Sequence, residues 1–383
     1  MATKVAYLAE NLGQVDNAWN LSPAQFLLAT GGNIGNLAFW HAARLLFDAT
    51  EVQLISRDTR PADVAADVDV VVIPAANFLH DGADLGRMGE LIRALGRPVL
   101  ILGLGAQAEK EDVPPKLKPG TLDFLREVSR LAPKILVRGQ FTQDFCRSLG
   151  VENTTVLGCP SLLINPDQGL GAKLEARIAS LPPEGGPLAV HGACIKPSVT
   201  SIERELVRLA RLNPGSAYIV QRPLELIKAA FGAELTAPAE VEYFARCATF
   251  LGLGDSPALT AFLRAHGQAP TSISSWAHGL QRYTAGINTR IHGTMLGVLA
   301  GLPSVCICHD TRTRELAEQM RVPKLSPKEF IEHRHSVRDM FAATRFSGKS
   351  FDAGRSEAAA GFLSAVEAVG LKPSKHLQRF LGA

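Results

Sequence analysis

Short apolar, β-branched runs alternate with helix-length amphipathic segments through most of the chain. Runs at 26–30, 52–55, 70–73, 99–102, 135–137 and 155–157 predict strands. Segments at 37–47, 86–95, 121–131 and 142–149 carry apolar residues at helical spacing. Strands that read as continuous apolar runs, each followed by a helix, indicate a parallel sheet covered on both faces.

The alternation breaks after Asn165, where Pro166, Pro182, Pro183, Gly185 and Gly186 bracket a short helical stretch. It then restarts, with strands expected at 188–190, 218–220, 271–274, 286–288 and 304–308 and helices at 201–212, 240–251 and 256–265. This predicts an N-terminal Rossmann-like domain over 1–168, a linker over 169–186, a second Rossmann-like domain over 187–345 and a C-terminal helical segment over 346–383. In that last segment Phe362, Leu363, Val366, Val369 and Leu371 fall near helical spacing, and Leu377, Phe380 and Leu381 continue the stripe. Without a dense basic face, the stripe is expected to pack on the body. The fold class is α/β, two Rossmann-like domains facing across a cleft.

Composition narrows the function classes. A chain of 383 residues is long for one core, and 46% hydrophobic against 20% charged residues describes a packed globular protein. A net charge of +3 gives no bulk case for nucleic acid, so an anionic ligand would be bound locally. The six cysteines are scattered without a C-x-x-C pair and read as buried thiols of a reducing compartment. The first residues lack a secretory pattern, and no apolar run approaches the roughly eighteen residues of a spanning helix, so a cytoplasmic protein is expected. No spacing suggests a metal site, and no Gly-x-Ser-x-Gly elbow is present.

In open parallel sheets, ligands bind beyond the carboxyl ends of the strands. In the first domain those positions hold Gly31-Gly32-Asn33-Ile34-Gly35-Asn36, Asn77, Gln107 and Arg138. In the second they hold His191, Gln221, Arg290-Ile291-His292, His309 and Asp310. Arg290 is a permanent cation with a planar fork of donors, and His292 can exchange a proton near neutral pH. Together they suit a phosphate or carboxylate substrate, although an isolated Arg-x-His also reads as a capped turn. The Gly31–Gly35 turn, read as following a strand and opening a helix, would bring backbone N–H groups to a ligand. It is neither the dinucleotide fingerprint nor a Walker loop.

Several segments, in order, resemble the polysaccharide pyruvyl transferase family. They are Gly31-Gly-Asn-Ile-Gly-Asn-Leu-Ala38, Ile101-Leu-Gly-Leu-Gly-Ala-Gln107, Leu136-Val-Arg-Gly-Gln-Phe-Thr142, Val156-Leu-Gly-Cys-Pro-Ser161, Asn288-Thr-Arg-Ile-His-Gly-Thr294 and Ala300-Gly-Leu-Pro303. The resemblance runs from about Ala29 to Val322 and implies a fold similar to GT-B glycosyltransferases. It implies transfer of the pyruvyl group of phosphoenolpyruvate onto two hydroxyls of a sugar, forming a pyruvate ketal on a bacterial exopolysaccharide or capsule. It also implies His292 and Arg290 as catalytic residues and Arg138, Arg290, Ile291, Gly293 and Thr294 around the donor. Asn33, Asn36, Asn77, Gln107, His191 and His309 would face the acceptor or the cleft. Phosphoenolpyruvate would be a substrate, with no cofactor and no metal, and the acceptor a saccharide, with a lipid-linked repeat unit at the inner membrane face as one form.

The sequence departs from the family pattern at Asn36, usually acidic, at Pro74-Ala-Ala-Asn77, usually Gly-rich, and at Arg312, where the family commonly has a lysine. The rival readings are a GT-B-type glycosyltransferase using a nucleotide sugar, with Asp310 as the nearby carboxylate, and a noncatalytic glycan-binding relative.

Overall fold

The computed structural model describes residues 3–108, 113–183 and 185–382. Met1 and Ala2, in the segment read for a targeting signal, and Glu184, in the expected linker, lie outside the described residues. Six parallel strands form a first sheet: β1 (Lys4–Leu8), β2 (Glu51–Ile55), β3 (Val70–Pro74), β4 (Val99–Leu104), β5 (Ile135–Val137) and β6 (Thr154–Val156), in the order β2-β1-β3-β4-β5-β6. A second parallel sheet follows: β7 (Leu188–His191), β8 (Ala217–Ile219), β9 (Gly267–Gln268), β10 (Ala285–Asn288), β11 (Ser304–Ile307) and β12 (Lys324–Leu325), in the order β9-β8-β7-β10-β11-β12. Strand order therefore reverses between β1 and β3 in the first sheet and between β7 and β10 in the second. Crevices of this kind hold ligands in doubly wound folds.

Two strand expectations fail for local reasons. Residues 26–30 lie in and just beyond the helix Pro23–Ala29, started by a capping box in which Ser22 Oγ accepts from Gln25 N and Gln25 Oε1 accepts from Ser22 N. The first strand is instead Lys4–Leu8, which sends Val5 and Tyr7 to one core and Ala6 and Leu8 to the other. Residues 271–274 likewise belong to a helix start: Ser272 caps Ile273–Leu280, whose Ile273, Trp276 and Leu280 are buried. Strands β9 and β12, of two residues each, carry too little pattern to read.

The expected linker is packed structure: the helix Leu170–Ala179 lies against the long C-terminal helix Gly348–Ala368. That helix buries Phe351, Phe362 and Val366, and the chain returns to the first domain, where Lys372–Pro373 pairs antiparallel with Phe47–Asp48. Arg355, only 1% exposed, donates from it to the carbonyls of Leu162, Asn165 and Asp167. The domains meet along the helices Pro23–Ala29 and Asn36–Arg44, which pack on Leu224–Ala230 and Ile291–Leu299. One apolar core runs from the first sheet through the second domain to the tail, giving a GT-B-like pair of Rossmann-like domains. All six cysteines are free and buried. Among the described residues no helix is long and apolar enough to cross a membrane.

Candidate active site

The second-domain half of the site stands at the β7/β10 reversal. Strand β10 ends at Asn288, and Arg290 occupies the N-cap of the helix Ile291–Leu299. The first-turn amides of such a helix have no acceptor within it, so its start carries positive polarity. All nine helix residues are buried. Ile291 joins the apolar core, Thr294 is fully buried, and a Cβ on Gly293 would lie 2.4 Å from the ring of His191. Ile291 and Gly293 pack the helix on its sheet, so what they offer a donor is backbone polarity, whereas Thr294 Oγ1 is buried without a partner.

Arg290 is positioned by its neighbours. Its Nε donates to the carbonyl of Gly192 at 3.2 Å and its Nη2 to that of Ala193. Ala193 has a left-handed backbone (φ 64°), rare for a residue with a side chain. The fully buried carboxylate of Glu203 secures that turn, accepting from the backbone N–H of Ala193 (2.9 Å) and of Cys194 (3.0 Å) and from the hydroxyls of Thr289 (2.7 Å) and Tyr218 (3.1 Å). Glu203 was not among the sequence candidates. Its signal was an acid on the apolar face of the helix Thr200–Leu212, in line with Leu206, Val207 and Ala210.

The first-domain half is built on Arg138, which is 2% exposed at the end of β5. Its Nε donates to the carbonyl of Gly103 (2.8 Å), Nη1 to Asn77 Oδ1 (2.8 Å) and Nη2 to the carbonyl of Ala75 (3.3 Å). Asn77 in turn donates to Gln107 Oε1 at 3.3 Å. Asn77 and Gln107 thus orient the arginine. Gly105 allows this close approach, since a Cβ there would sit 2.7 Å from Asn77 Oδ1 and 2.8 Å from Arg138 Cδ.

The halves meet at His292, which is 8% exposed, with its Nε2 buried and without a partner. Burial, and then the charges of Arg138 and Arg312, push its pKa down to about 3. The imidazole is therefore neutral. A Cβ on Gly35 of the first domain would fall 2.5 Å from Gln221 Oε1 and 3.3 Å from His292 Nδ1, so glycine lets the two domains touch there. Gln221 Nε2 and Arg312 Nε are likewise buried without partners. Arg312 influences Arg138, Arg290 and His292 alike, making it a third cation of the cluster. Sequence reasoning had noted Arg312 only as the substitute for a family lysine.

Other expected residues are already committed. His191 is held through both ring nitrogens, Nδ1 to Asn288 Oδ1 (2.5 Å) and Nε2 accepting from the Trp276 indole (3.1 Å), and burial lowers its pKa to about 4. It belongs to the interior of the second domain, not to the cleft. His309 lies against the carbonyl of Thr289 (3.2 Å), and Asp310 caps the helix Thr311–Gln319. The Gly31–Asn36 turn does not offer its amides to a ligand: they donate to Leu28, Leu27, Thr30, Gln221 and Asn33. Asn33 Oδ1 shapes this turn by accepting from Gly35 N (3.1 Å), while Asn36 ties it down through Thr30 O (2.9 Å). Among the described residues no group of three or more His, Cys, Asp or Glu side chains is arranged to hold a metal ion.

Arg138, Arg290 and the orphaned imidazole of His292 fall within the stretch, residues 33–311, that matches the family model for polysaccharide pyruvyl transferases, and Arg312 follows it directly. The chain belongs to the polysaccharide pyruvyl transferase family. No curated protein matches it. Among solved structures, this pyruvyl transferase family member is similar to HepE of Anabaena, solved in complex with UDP and glucose, at 12% identity and a TM-score of 0.41, over 94% of this chain and 100% of that one. It is also similar to UDP-GlcNAc 2-epimerase from Neisseria meningitidis bound to UDP-GlcNAc, at 11% identity and a TM-score of 0.44, over 95% and 100% of the two chains. A third is S. aureus MnaA with UDP, at 12% identity and a TM-score of 0.42, over 97% and 99%.

Proposed function

We propose that this family member transfers the pyruvyl group of phosphoenolpyruvate to two hydroxyls of one saccharide, releasing phosphate and leaving a pyruvate ketal. The observation that carries the reading is the unpartnered Nε2 of His292, buried where the charges of Arg138 from one domain and Arg312 from the other both act on it. Phosphoenolpyruvate carries a phosphate and a carboxylate close together. Cations from both domains, with the polarised start of the helix Ile291–Leu299, match that charge distribution.

The chemistry needs a proton on the methylene carbon, which makes C2 oxocarbenium-like. One hydroxyl adds at C2 and loses its proton, the C2–O bond to phosphate breaks, and the second hydroxyl closes the ring with loss of its own proton. Donor anions beside Arg138 and Arg312 would cancel the repulsion those charges add to burial, and by pairing with an imidazolium would offset the larger effect of burial itself, so the imidazole could charge with the donor and then pass its proton on. Arg138, Arg290 and Arg312 would stabilise the departing phosphate.

Titration calorimetry tests the donor. Phosphoenolpyruvate should bind the wild-type protein, and Arg290→Ala should weaken it by roughly 10–100-fold, the range for a lost charge-assisted pair. Binding of nucleotide sugars with no response to phosphoenolpyruvate would contradict the reading.

A further inference from the structure

Gln221 stands two residues beyond β8 and is 1% exposed. Its backbone carbonyl accepts from Ile34 N at 3.2 Å and so ties this strand end to the first domain. The side chain takes no part in that tie. Its Nε2 is buried without a partner, although a primary amide carries two N–H donors there. A buried donor left unpaired costs about 1–3 kcal/mol, and an apolar side chain of the same length would hold the seam without that cost. The fold alone therefore gives no reason for an amide at this position.

Its surroundings give one. A Cβ on Gly35 would lie 2.5 Å from Gln221 Oε1 and 3.3 Å from His292 Nδ1, so the amide and the imidazole flank the same glycine gap. His292 Nε2 and Arg312 Nε are also buried without partners. A ligand bringing anionic oxygens would satisfy the donors of both Gln221 and Arg312. Arg290 at its N-cap, Arg312 and the polarised start of the helix Ile291–Leu299 form the end of the site that suits a phosphate. Strand β7 stands between β8 and β10, so Gln221 reaches the imidazole from a different strand end than the one that carries Arg290.

Resting on the transferase reading above, we propose that Gln221 Nε2 donates to the carboxylate of phosphoenolpyruvate and so selects a donor that carries one. A neutral amide fits this place. The charges of Arg138 and Arg312 already oppose a proton on His292, and another cation beside the imidazole would oppose it further. An amide holds an anionic oxygen without adding charge. It also keeps its hold on the carboxylate after phosphate has left, because the carboxylate stays on the pyruvyl group throughout.

The test is titration calorimetry of the full chain with phosphoenolpyruvate and, separately, with inorganic phosphate, which shares the donor's phosphate chemistry and lacks the carboxylate. Gln221→Met keeps the length of the side chain and removes its donors. It is expected to weaken phosphoenolpyruvate by roughly 10–100-fold, the range for one hydrogen bond to a charged group, and to leave the affinity for inorganic phosphate and the thermal midpoint unchanged. Gln221→Ala, which cannot overpack the seam, should show the same selective loss. Arg290→Ala, in contrast, should weaken both ligands. Phosphoenolpyruvate bound by Gln221→Met and Gln221→Ala as tightly as by the wild type would overturn the assignment. Weakening of both ligands by the same factor would also overturn it, since that is the mark of a disturbed seam. Failure of phosphoenolpyruvate to bind the wild type would strike the transferase reading and this contact together.

Discussion

At the residue scale, the account turns on the charge of His292. Its pKa of about 3, set by burial and the charges of Arg138 and Arg312, means that no proton is available there before a donor arrives. Binding of phosphoenolpyruvate is therefore expected to take up protons from buffer. Calorimetry in two buffers of different ionisation enthalpy should show this, and His292→Gln should lose most of the uptake while transfer falls by roughly 10²–10⁴-fold. The same depression links to stability. The unfolded chain binds a proton on each histidine near pH 6.5, whereas folded His292 and His191 resist protonation down to about 3 and about 4. Stability should thus be full above the unfolded value and fall as pH drops from about 7 to about 5, by roughly 1–2 kcal/mol per histidine. Urea unfolding at each pH checks this, and His292→Gln should flatten its share of the slope. Arg290 and His292 were legible because strand-end position and chemistry coincide in one short segment. His191 occupies an equivalent strand end, yet its partners, Asn288 and Trp276, come from distant segments that no local pattern reveals.

At the scale of elements, the arginines act only as well as the turns beneath them. Glu203 gathers four donors around the left-handed Ala193 turn, and Asn77 and Gln107 brace Arg138. Glu203→Gln should cost roughly 2–4 kcal/mol of stability, since a buried carboxylate accepting several bonds is replaced by an amide with donors of its own. It should also raise KM for phosphoenolpyruvate more than it lowers kcat, an outcome that steady-state kinetics at a permissive temperature would show. The strand–helix alternation revealed five of the six strands of the first sheet and the longer strands of the second, but missed the interior strand Lys4–Leu8. It misread 26–30 because an apolar run of that length fits either element, and the deciding Ser22–Gln25 box lies upstream. The Gly31–Asn36 turn was read as a ligand cradle for the same reason: only the folded turn shows where its amides go.

At the scale of the whole molecule, the two domains are joined beside the site. Glu315 of the second domain accepts from the backbone N–H of Thr142 (2.7 Å) and from its hydroxyl (3.0 Å), capping the helix that follows Arg138. Thr311 exchanges hydrogen bonds with Ala108, and Ile34 N donates to the carbonyl of Gln221. Glu315→Ala should leave the Thr142 donors unpaired and loosen the seam, lowering the thermal midpoint by a few degrees, about 1–3 kcal/mol, and reducing kcat more than donor affinity. Composition and pattern foretold two domains; they were silent on this seam, because it joins residues 173 positions apart. The central claim is that His292 and the arginines of both domains act on phosphoenolpyruvate and a saccharide. The most direct measurement is mass spectrometry of saccharides incubated with the protein and phosphoenolpyruvate, with released phosphate assayed in the same tube. The account predicts one pyruvyl ketal added per phosphate released, and neither product with His292→Ala. Ketal formation undiminished by His292→Ala, or phosphate released in step with a free-pyruvate product and no modified sugar, would contradict it.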